Sequence, residues 1–486
     1  PDDRSGLGQA AFPEFNRINS LTMIRVFKQY YPIRNIFFVL GEGLVIYLAV
    51  FTAAYALKHT EPFIPDSTMA LRMLLATLVC QICLYYGDLY DMSTSKSSIE
   101  LCIRLLQALG VAAILLALIY IVFPKTILNT GNYIVSALIL VFLLSSWRLG
   151  YALILNQGLF DKKIILIGSD ELAQKINNEI MQKKDCGYQV ACIVLEKYHQ
   201  GTITDAQTPV IRKKGYQGLC ALANKLNIDT MVVAIKEKRG ELPTKELLQC
   251  RIDGIEVFDG ISFYETLSGK LLVEHISPSW LIFSDGFQKS GLKKFLKRAT
   301  DIILSVILLV ILLPLNLLVM LLIKIDSKGP VFYSQDRVGE GHKIYRIYKF
   351  RSMFTDAEEK TGPVFTTKDD DRVTRVGRFF RKWRIDEIPQ LWNVLRGEMS
   401  FVGPRPEREF FVKQLEQNIP YYRERFSVKP GITGWAQVCY RYGYTFQDAV
   451  EKLNYDLFYI KNMSILMDLM IILRTIKIVL FGIGAQ

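Results

Sequence analysis

The chain is short of the groups that most metalloenzymes and redox proteins depend on. It has 4 histidines among 486 residues, and its 8 cysteines show no metal-ligand spacing. Cys80-Gln81-Ile82-Cys83 lies inside an apolar run, where reduced, buried thiols are expected. There is no G-x-x-x-x-G-K-[ST] phosphate loop, no H-E-x-x-H and no G-x-S-x-G, which removes P-loop, zincin and nucleophile-elbow chemistry. The first twenty residues are polar and lack an apolar h-region, so no cleavable signal peptide is expected. Charged residues are only 22% of the chain while hydrophobic ones reach 50%, a balance tilted away from ordinary soluble domains.

What charge there is has one dominant sign. A net charge of +12 favours polyanionic neighbours such as anionic lipid head groups and nucleotides. Aromatic and basic residues form no RNA-binding pattern, so nucleic acid is not expected as a partner.

Four apolar stretches occupy the N-terminal third, at about 36–57, 68–86, 105–123 and 133–155. Each is long enough, at about 1.5 Å per residue, to cross a hydrocarbon layer of about 30 Å. Glu42, Arg72 and Arg148 interrupt them. Arg4, Arg17, Arg25, Lys28 and Arg34 ahead of the first span, and Lys162 and Lys163 after the fourth, keep both ends cytoplasmic by the positive-inside rule. The pattern predicts a cytoplasmic segment over 1–35 and a four-helix transmembrane bundle over 36–157.

Residues 158–288 read as a soluble, Rossmann-like α/β module. Lys163-Ile164-Ile165-Leu166-Ile167 is a short buried strand, and Gly168-Ser169-Asp170-Glu171-Leu172-Ala173 opens a helix. The turn approximates G-x-G-x-x-A, but Asp170 stands where the second glycine lets a pyrophosphate approach. A structural or regulatory module is expected ahead of a dinucleotide site.

Lys293, Lys294, Lys297 and Arg298 precede a further apolar run, 302–323, and Lys324 and Lys328 follow it. Basic flanks at both ends disfavour a crossing. Pro314 removes a helix hydrogen bond near the middle and favours a sharp kink. A re-entrant helix is therefore predicted over 295–325, entering and leaving by the cytoplasmic face, with a full fifth span as the alternative. The freed backbone groups would need partners within the protein. The last apolar segment, 463–482, holds Asp468, Arg474 and Lys477 and suits an interfacial helix.

The chemistry-bearing segment is Arg381-Lys382-Trp383-Arg384-Ile385-Asp386-Glu387-Ile388-Pro389-Gln390-Leu391. Pro389 fits the first turn of a helix, so the two acids sit at or just before its N-terminus. Adjacent helical residues point about 100° apart and cannot share a proton. One carboxylate is expected to attack or bind, the other to hold metal or move a proton. A carboxylate attacking a phosphoryl group forms an acyl phosphate and divides one transfer into two. That attack joins anions, so it needs Mg²⁺ and some of Lys349, Arg351, Arg381 and Arg405.

These residues resemble the catalytic domain of bacterial polyprenyl-phosphate sugar-1-phosphate transferases, the monotopic phosphoglycosyl transferases. The resemblance rests on Lys349-Phe350-Arg351-Ser352-Met353, Asp386-Glu387-x-Pro389-Gln390-Leu391, Gly403-Pro404-Arg405-Pro406 and Pro430-Gly431-Ile432-Thr433-Gly434-Trp435-Ala436-Gln437-Val438. It implies an α-rich catalytic domain over 289–486 and likens the whole chain to the long members that initiate exopolysaccharide or O-antigen repeat units. It further implies that Asp386 attacks the β-phosphate of a UDP-sugar, releases UMP and carries the phosphosugar to undecaprenyl phosphate. Glu387 assists, Asp386 and Glu387 hold Mg²⁺, and Lys349, Arg351, Arg372, Arg381, Pro404, Arg405 and Arg441 bind substrate. The enzyme would sit in the bacterial inner membrane with its catalytic domain on the cytoplasmic face; a homodimer is among the assemblies this allows. The chain departs from the family at Leu313-Pro314 in place of Ser-Pro, Asp370-Asp371-Arg372 in place of Asp-Pro-Arg, Arg384-Ile385 before the acids, and Cys439-Tyr440-Arg441 in place of Asn-Gly-Arg. A membrane-bound regulatory scaffold with an inactive last domain is the second reading, and a glycosyltransferase that releases UDP the third.

Overall fold

A computed structural model describes residues 23–26, 29–56, 67–90, 98–126, 133–156, 161–168, 170–183, 186–196, 208–235, 242–355, 370–440, 443 and 445–481. The chain forms two compact units, Pro1–Phe258 and Asp259–Gln486.

The first unit opens with an antiparallel hairpin, β1 (Met23–Val26) and β2 (Gln29–Pro32). Four helices follow: α1 (Ile33–Ala56), α2 (Ser67–Tyr86), α3 (Ser98–Val122) and α4 (Tyr133–Asn156). Among the described residues α1, α2 and α3 are long and apolar enough to cross a membrane, and α4 carries a shorter apolar stretch, Ala137–Leu153. Helix α3 begins earlier than its apolar core, and Arg104 pairs with Glu100 one turn away at 2.5 Å in that first part.

Two of the charges that interrupt the apolar runs neutralise each other. Arg148 Nη2 lies 2.6 Å from Glu42 Oε1, with both side chains at most 3% exposed. Arg148 also donates to the Leu89 carbonyl and lies over the rings of Phe38 and Tyr90. An isolated charge at that depth is costly; a paired one is tolerated. Gly41 and Gly43 flank Glu42 and make the approach possible. A Cβ at Gly41 would meet the Trp147 ring at 2.4 Å, and one at Gly43 the Gln81 amide at 2.6 Å.

The α/β region has five strands, β3 (Lys162–Ile167), β4 (Tyr188–Glu196), β5 (Val210–Lys213), β6 (Thr230–Val233) and β7 (Glu256–Asp259), in the order β5-β4-β3-β6-β7. β3 runs parallel to β4 and β6, and β4 parallel to β5. Crossovers pass through α5 (Glu171–Gln182), α6 (Leu219–Leu226) and α7 (Thr244–Ile252). Ile164 to Ile167 are fully buried, as a continuous apolar run in a parallel sheet should be. Gly168 has φ +132°, and a Cβ there would lie 2.3 Å from the Ala234 carbonyl. This glycine is accounted for by its neighbour at the end of β6, without any ligand. Cys220 and Cys250, which the sequence reading did not pair, form a disulfide between α6 and α7.

The second unit starts earlier than the expected domain boundary at 289. Residues 259–288, assigned from sequence to the α/β module, pack into the C-terminal core. Helix α8 (Gly260–Ser268) and helix α9 (Pro278–Phe283) bracket Leu271, Val273 and Ile276, which share a core with Trp435, Leu457 and Phe458. Apolar burial sets this boundary, and local pattern gave no sign of it.

Helices α10 (Gly291–Ile311) and α11 (Leu313–Asp326) meet at 63° across Leu312. Pro314 stands in the first turn of α11, where its missing N–H loses nothing. The remaining framework is an antiparallel pair, β8 (Phe332–Val338) and β9 (Ile344–Phe350), and a parallel pair, β10 (Ser400–Val402) and β11 (Gly431–Thr433). Around them lie α12 (Arg375–Lys382), α13 (Gln390–Arg396), α14 (Glu409–Asn418), α15 (Trp435–Cys439), α16 (Phe446–Asn462) and α17 (Ile465–Phe481). In α17, Asp468 turns inward to Lys297 at 2.6 Å, while Leu466, Leu469, Leu480 and Phe481 stay exposed.

Candidate active site

Asp386 and Glu387 lie on a short 3-10 turn, Ile385–Glu387, immediately before Pro389 and α13. The turn is reached through Arg384 in the left-handed region (φ 53°). Both acids are buried, 6% and 7% exposed, at the wall of a cavity of about 810 Å³. That is ample room for a nucleotide-sized ligand.

Several local features bring the cations to this turn. Asn393 on α13 accepts from Tyr348 N and donates to the Arg346 carbonyl, which fastens α13 to β9. Lys349 follows in β9, and its Nζ lies 2.9 Å from Glu387 Oε1. Thr374 caps α12 by accepting from Gly377 N. A Cβ on Gly377 would lie 2.0 Å from the Ser352 carbonyl, so only glycine lets α12 sit this close to the end of β9. Arg381, near the end of α12, lines the same cavity. Arg405 reaches in from the Gly403–Glu407 turn, with Nη2 2.9 Å from Glu387 Oε1. Arg384 Nη1 stands 3.6 Å from Glu387 Oε2.

The neighbouring acids therefore differ sharply. Burial alone works against a Glu387 carboxylate, but Arg405, Lys349 and Arg384 together outweigh it and hold the group well below its ordinary range. For Asp386 burial dominates and pushes the carboxyl up to about 6; Lys349 opposes this and the Glu387 charge adds to it. Asp386 Oδ1 is buried and has no hydrogen-bond partner. Its cations thus hold Glu387 in the ionised form, whereas Asp386 keeps one buried oxygen that no protein donor reaches.

The other expected residues divide. Pro404 sits in the Arg405 turn, its carbonyl accepting from Gly431 N. Arg351 lines the cavity but directs its guanidinium to the Ser327 and Lys328 carbonyls, bracing the end of α11. Arg372 forks onto the Asp370 carboxylate at 2.8 and 2.6 Å, and it is not among the residues lining the cavity. Arg441 lies outside the described residues. Sequence reasoning assigned no role to Arg384, although it adjoins the acids, nor to the buried Arg425–Asp456 pair (2.9 Å), which lines the cavity from far along the chain.

As a cation site the arrangement fits one role only. No group of three acidic, histidine or cysteine side chains able to hold a metal occurs among the described residues. Mg²⁺, however, commonly takes one or two carboxylates and completes its shell with substrate phosphates and water. Asp386, which lines the cavity and has no protein donor on Oδ1, is the carboxylate left for that role, while Glu387 Oε1 is already taken by two cations.

The family described as bacterial sugar transferase matches residues 292–482. The chain is 43% identical over 240 residues to the UDP-N-acetylgalactosamine-undecaprenyl-phosphate N-acetylgalactosaminephosphotransferase of Aeromonas hydrophila, covering 49% of this chain and 56% of that protein. It is 32% identical over 384 residues to the galactosyl transferase CpsE of Streptococcus agalactiae serotype III, covering 75% and 82%. It is 44% identical over 186 residues to the exopolysaccharide production protein PSS of Rhizobium leguminosarum bv. phaseoli, covering 37% and 93%. The chain thus spans little more than half of the Aeromonas relative and most of the other two.

Proposed function

Because the chain belongs to the bacterial sugar transferase family, we propose that it moves a hexose-1-phosphate from a UDP-sugar to undecaprenyl phosphate, starting exopolysaccharide or O-antigen repeat units. The observation that carries this reading is the split acid pair, with a reactive Asp386 beside a Glu387 neutralised by Lys349 and Arg405.

An Asp386 carboxylate oxygen attacks the donor's β-phosphorus. The bond from that phosphorus to the oxygen bridging the two phosphates breaks, and the bridging oxygen leaves on UMP. The phosphosugar remains on Asp386 as an acyl phosphate. A phosphate oxygen of undecaprenyl phosphate then attacks the same phosphorus and expels the Asp386 carboxylate, giving the lipid-linked diphosphate sugar. Lys349, Arg381 and Arg405 offset the charge that accumulates as anion meets anion. Glu387 keeps Lys349 and Arg405 aligned and raises the proton affinity, hence the nucleophilicity, of its neighbour. Mg²⁺ held by Asp386 and the donor phosphates would supply further charge neutralisation at the leaving group.

The rest of the chain is read to match. α1 to α4 serve as four spans, the α/β region as a Rossmann-like module, and the α10–α11 pair as a re-entrant helix presenting the site to the cytoplasmic face. The alternating order of the parallel strands, the 63° bend and the basic flanks of residues 302–323 support this. The test is a UMP-release screen over a panel of UDP-sugars with undecaprenyl phosphate present. One donor should release UMP and transfer its labelled sugar and β-phosphate to the lipid; release of UDP, or no turnover with any donor, would overturn the proposal.

A further inference from the structure

The turn that carries Arg405 is held in an unusual way. Pro404, Arg405, Pro406 and Glu407 present consecutive carbonyls, which accept from three separate parts of the second unit: β11, Arg425 and the end of β8. The donors are Gly431 N at 2.9 Å, Arg425 Nη2 at 3.0 Å, Arg337 Nη1 at 3.2 Å and Val338 N at 3.1 Å. Two of these residues are prolines without an N–H, so the segment has few donors with which to close on itself. Its position is imposed from outside.

The Arg425 contact differs from the others. The same Nη2 that holds the Arg405 carbonyl donates to Asp456 Oδ2 at 2.9 Å, and Nη1 donates to the Tyr422 hydroxyl. Arg425 is 7% exposed and Asp456 2%. A planar guanidinium fixed on three acceptors is a rigid bracket. On the far side of that bracket, Arg405 Nη2 meets Glu387 Oε1 at 2.9 Å. A continuous path of hydrogen bonds therefore runs from Asp456 through Arg425 and the Arg405 backbone to the acid pair.

We infer that Arg425 is a positioning residue for phosphoryl transfer, holding the Arg405 backbone so that the Arg405 guanidinium stays aimed at Glu387 and at the donor phosphates. The inference rests on the reaction proposed above. It makes Arg425 more than half of a buried ion pair: although it lines the cavity, all three of its guanidinium contacts go to protein acceptors, and it acts on the reaction through Arg405.

Arg425→Lys separates the two roles, because lysine keeps the charge opposite Asp456 but cannot fork onto three acceptors. In the purified full chain this variant should retain the wild-type melting temperature and lose about a hundredfold in kcat for UMP release, the scale of a small misplacement, with donor KM little changed. In an Arg405→Lys background the same substitution should add almost nothing. Wild-type kcat in Arg425→Lys, or losses that multiply in the double variant, would overturn the inference. A crystal structure of Arg425→Lys gives an arm independent of turnover: the Arg405–Glu387 contact should be broken, and its retention would also overturn the inference. If the unaltered protein releases UMP from no UDP-sugar, the reaction fails, while that structure still decides what Arg425 does.

Discussion

Lys349 Nζ lies 2.9 Å from Glu387 Oε1, yet no hydrogen-bond donor reaches Oδ1 of the adjacent Asp386. Adjacent in sequence, the two carboxylates differ because Lys349, Arg405 and Arg384 contact Glu387 directly, whereas for Asp386 burial outweighs the nearby cations. Pairs whose environments push their proton affinities apart are how acid–base and nucleophile roles are divided elsewhere. The reaction proposed above uses that division, with attack by Asp386 and support from Glu387.

Exchanging the nucleophile should stop the chemistry. Asp386→Asn keeps size and polarity but provides no attacking carboxylate, so turnover and the covalent phosphosugar adduct should both vanish. Glu387→Gln should retain the adduct but slow it by about a hundredfold or more, on the scale seen when a charged group that orients a reaction is removed. Rates from UMP release and intact-protein mass spectrometry of quenched enzyme check both. Near-normal turnover in Asp386→Asn would show that another residue attacks.

The pH profile should carry the same signature. In the proposed reaction only an ionised Asp386 attacks, and burial raises its carboxyl to about 6. Activity should therefore fall as pH drops through about that value, with the apparent midpoint belonging to the coupled pair. Since the Glu387 charge pushes the Asp386 carboxyl up, Glu387→Gln should move the acid limb of its residual activity to lower pH. An acid limb that stays in place or moves upward would show that a different group titrates.

The bend between α10 and α11 should depend on Pro314. Replacing it with leucine restores an amide hydrogen and removes the ring that crowds the carbonyl of Val310, four residues earlier. The 63° angle should then open toward a straight helix, and labelling of single cysteines placed after residue 326 should report a changed side or depth. An unchanged labelling pattern would locate the cause of the break elsewhere, for example at the buried Asn316.

How much of this was legible beforehand can be followed through particular residues. The four apolar stretches, the continuous run Ile164–Ile167 and the kink at Pro314 each follow from local composition, and helices, a buried strand and a bend stand at those places. The dyad with Lys349 and Arg405 was legible because its motifs are short and contiguous, and the fold brings them within 2.9 Å. What Arg351 contacts was not legible: a basic residue in a motif looks the same whether it faces only a cavity or, as here, also braces backbone carbonyls at the end of α11. The start of the second unit was misplaced because Leu271, Val273 and Ile276 find their core partners well over a hundred residues away.

The amino-acid order alone determined the parts that depend on neighbours along the chain. These are the apolar helices, the proline break, and two acids placed among cations before a helix. Tertiary packing decided which charges meet. It paired Glu42 of α1 with Arg148 of α4, turned Asp468 inward to Lys297, and set Arg425 against the Arg405 turn. The reason is physical: hydropathy and helix-breaking act over a few residues, whereas a buried charge is stable only beside a partner that the fold must deliver from elsewhere.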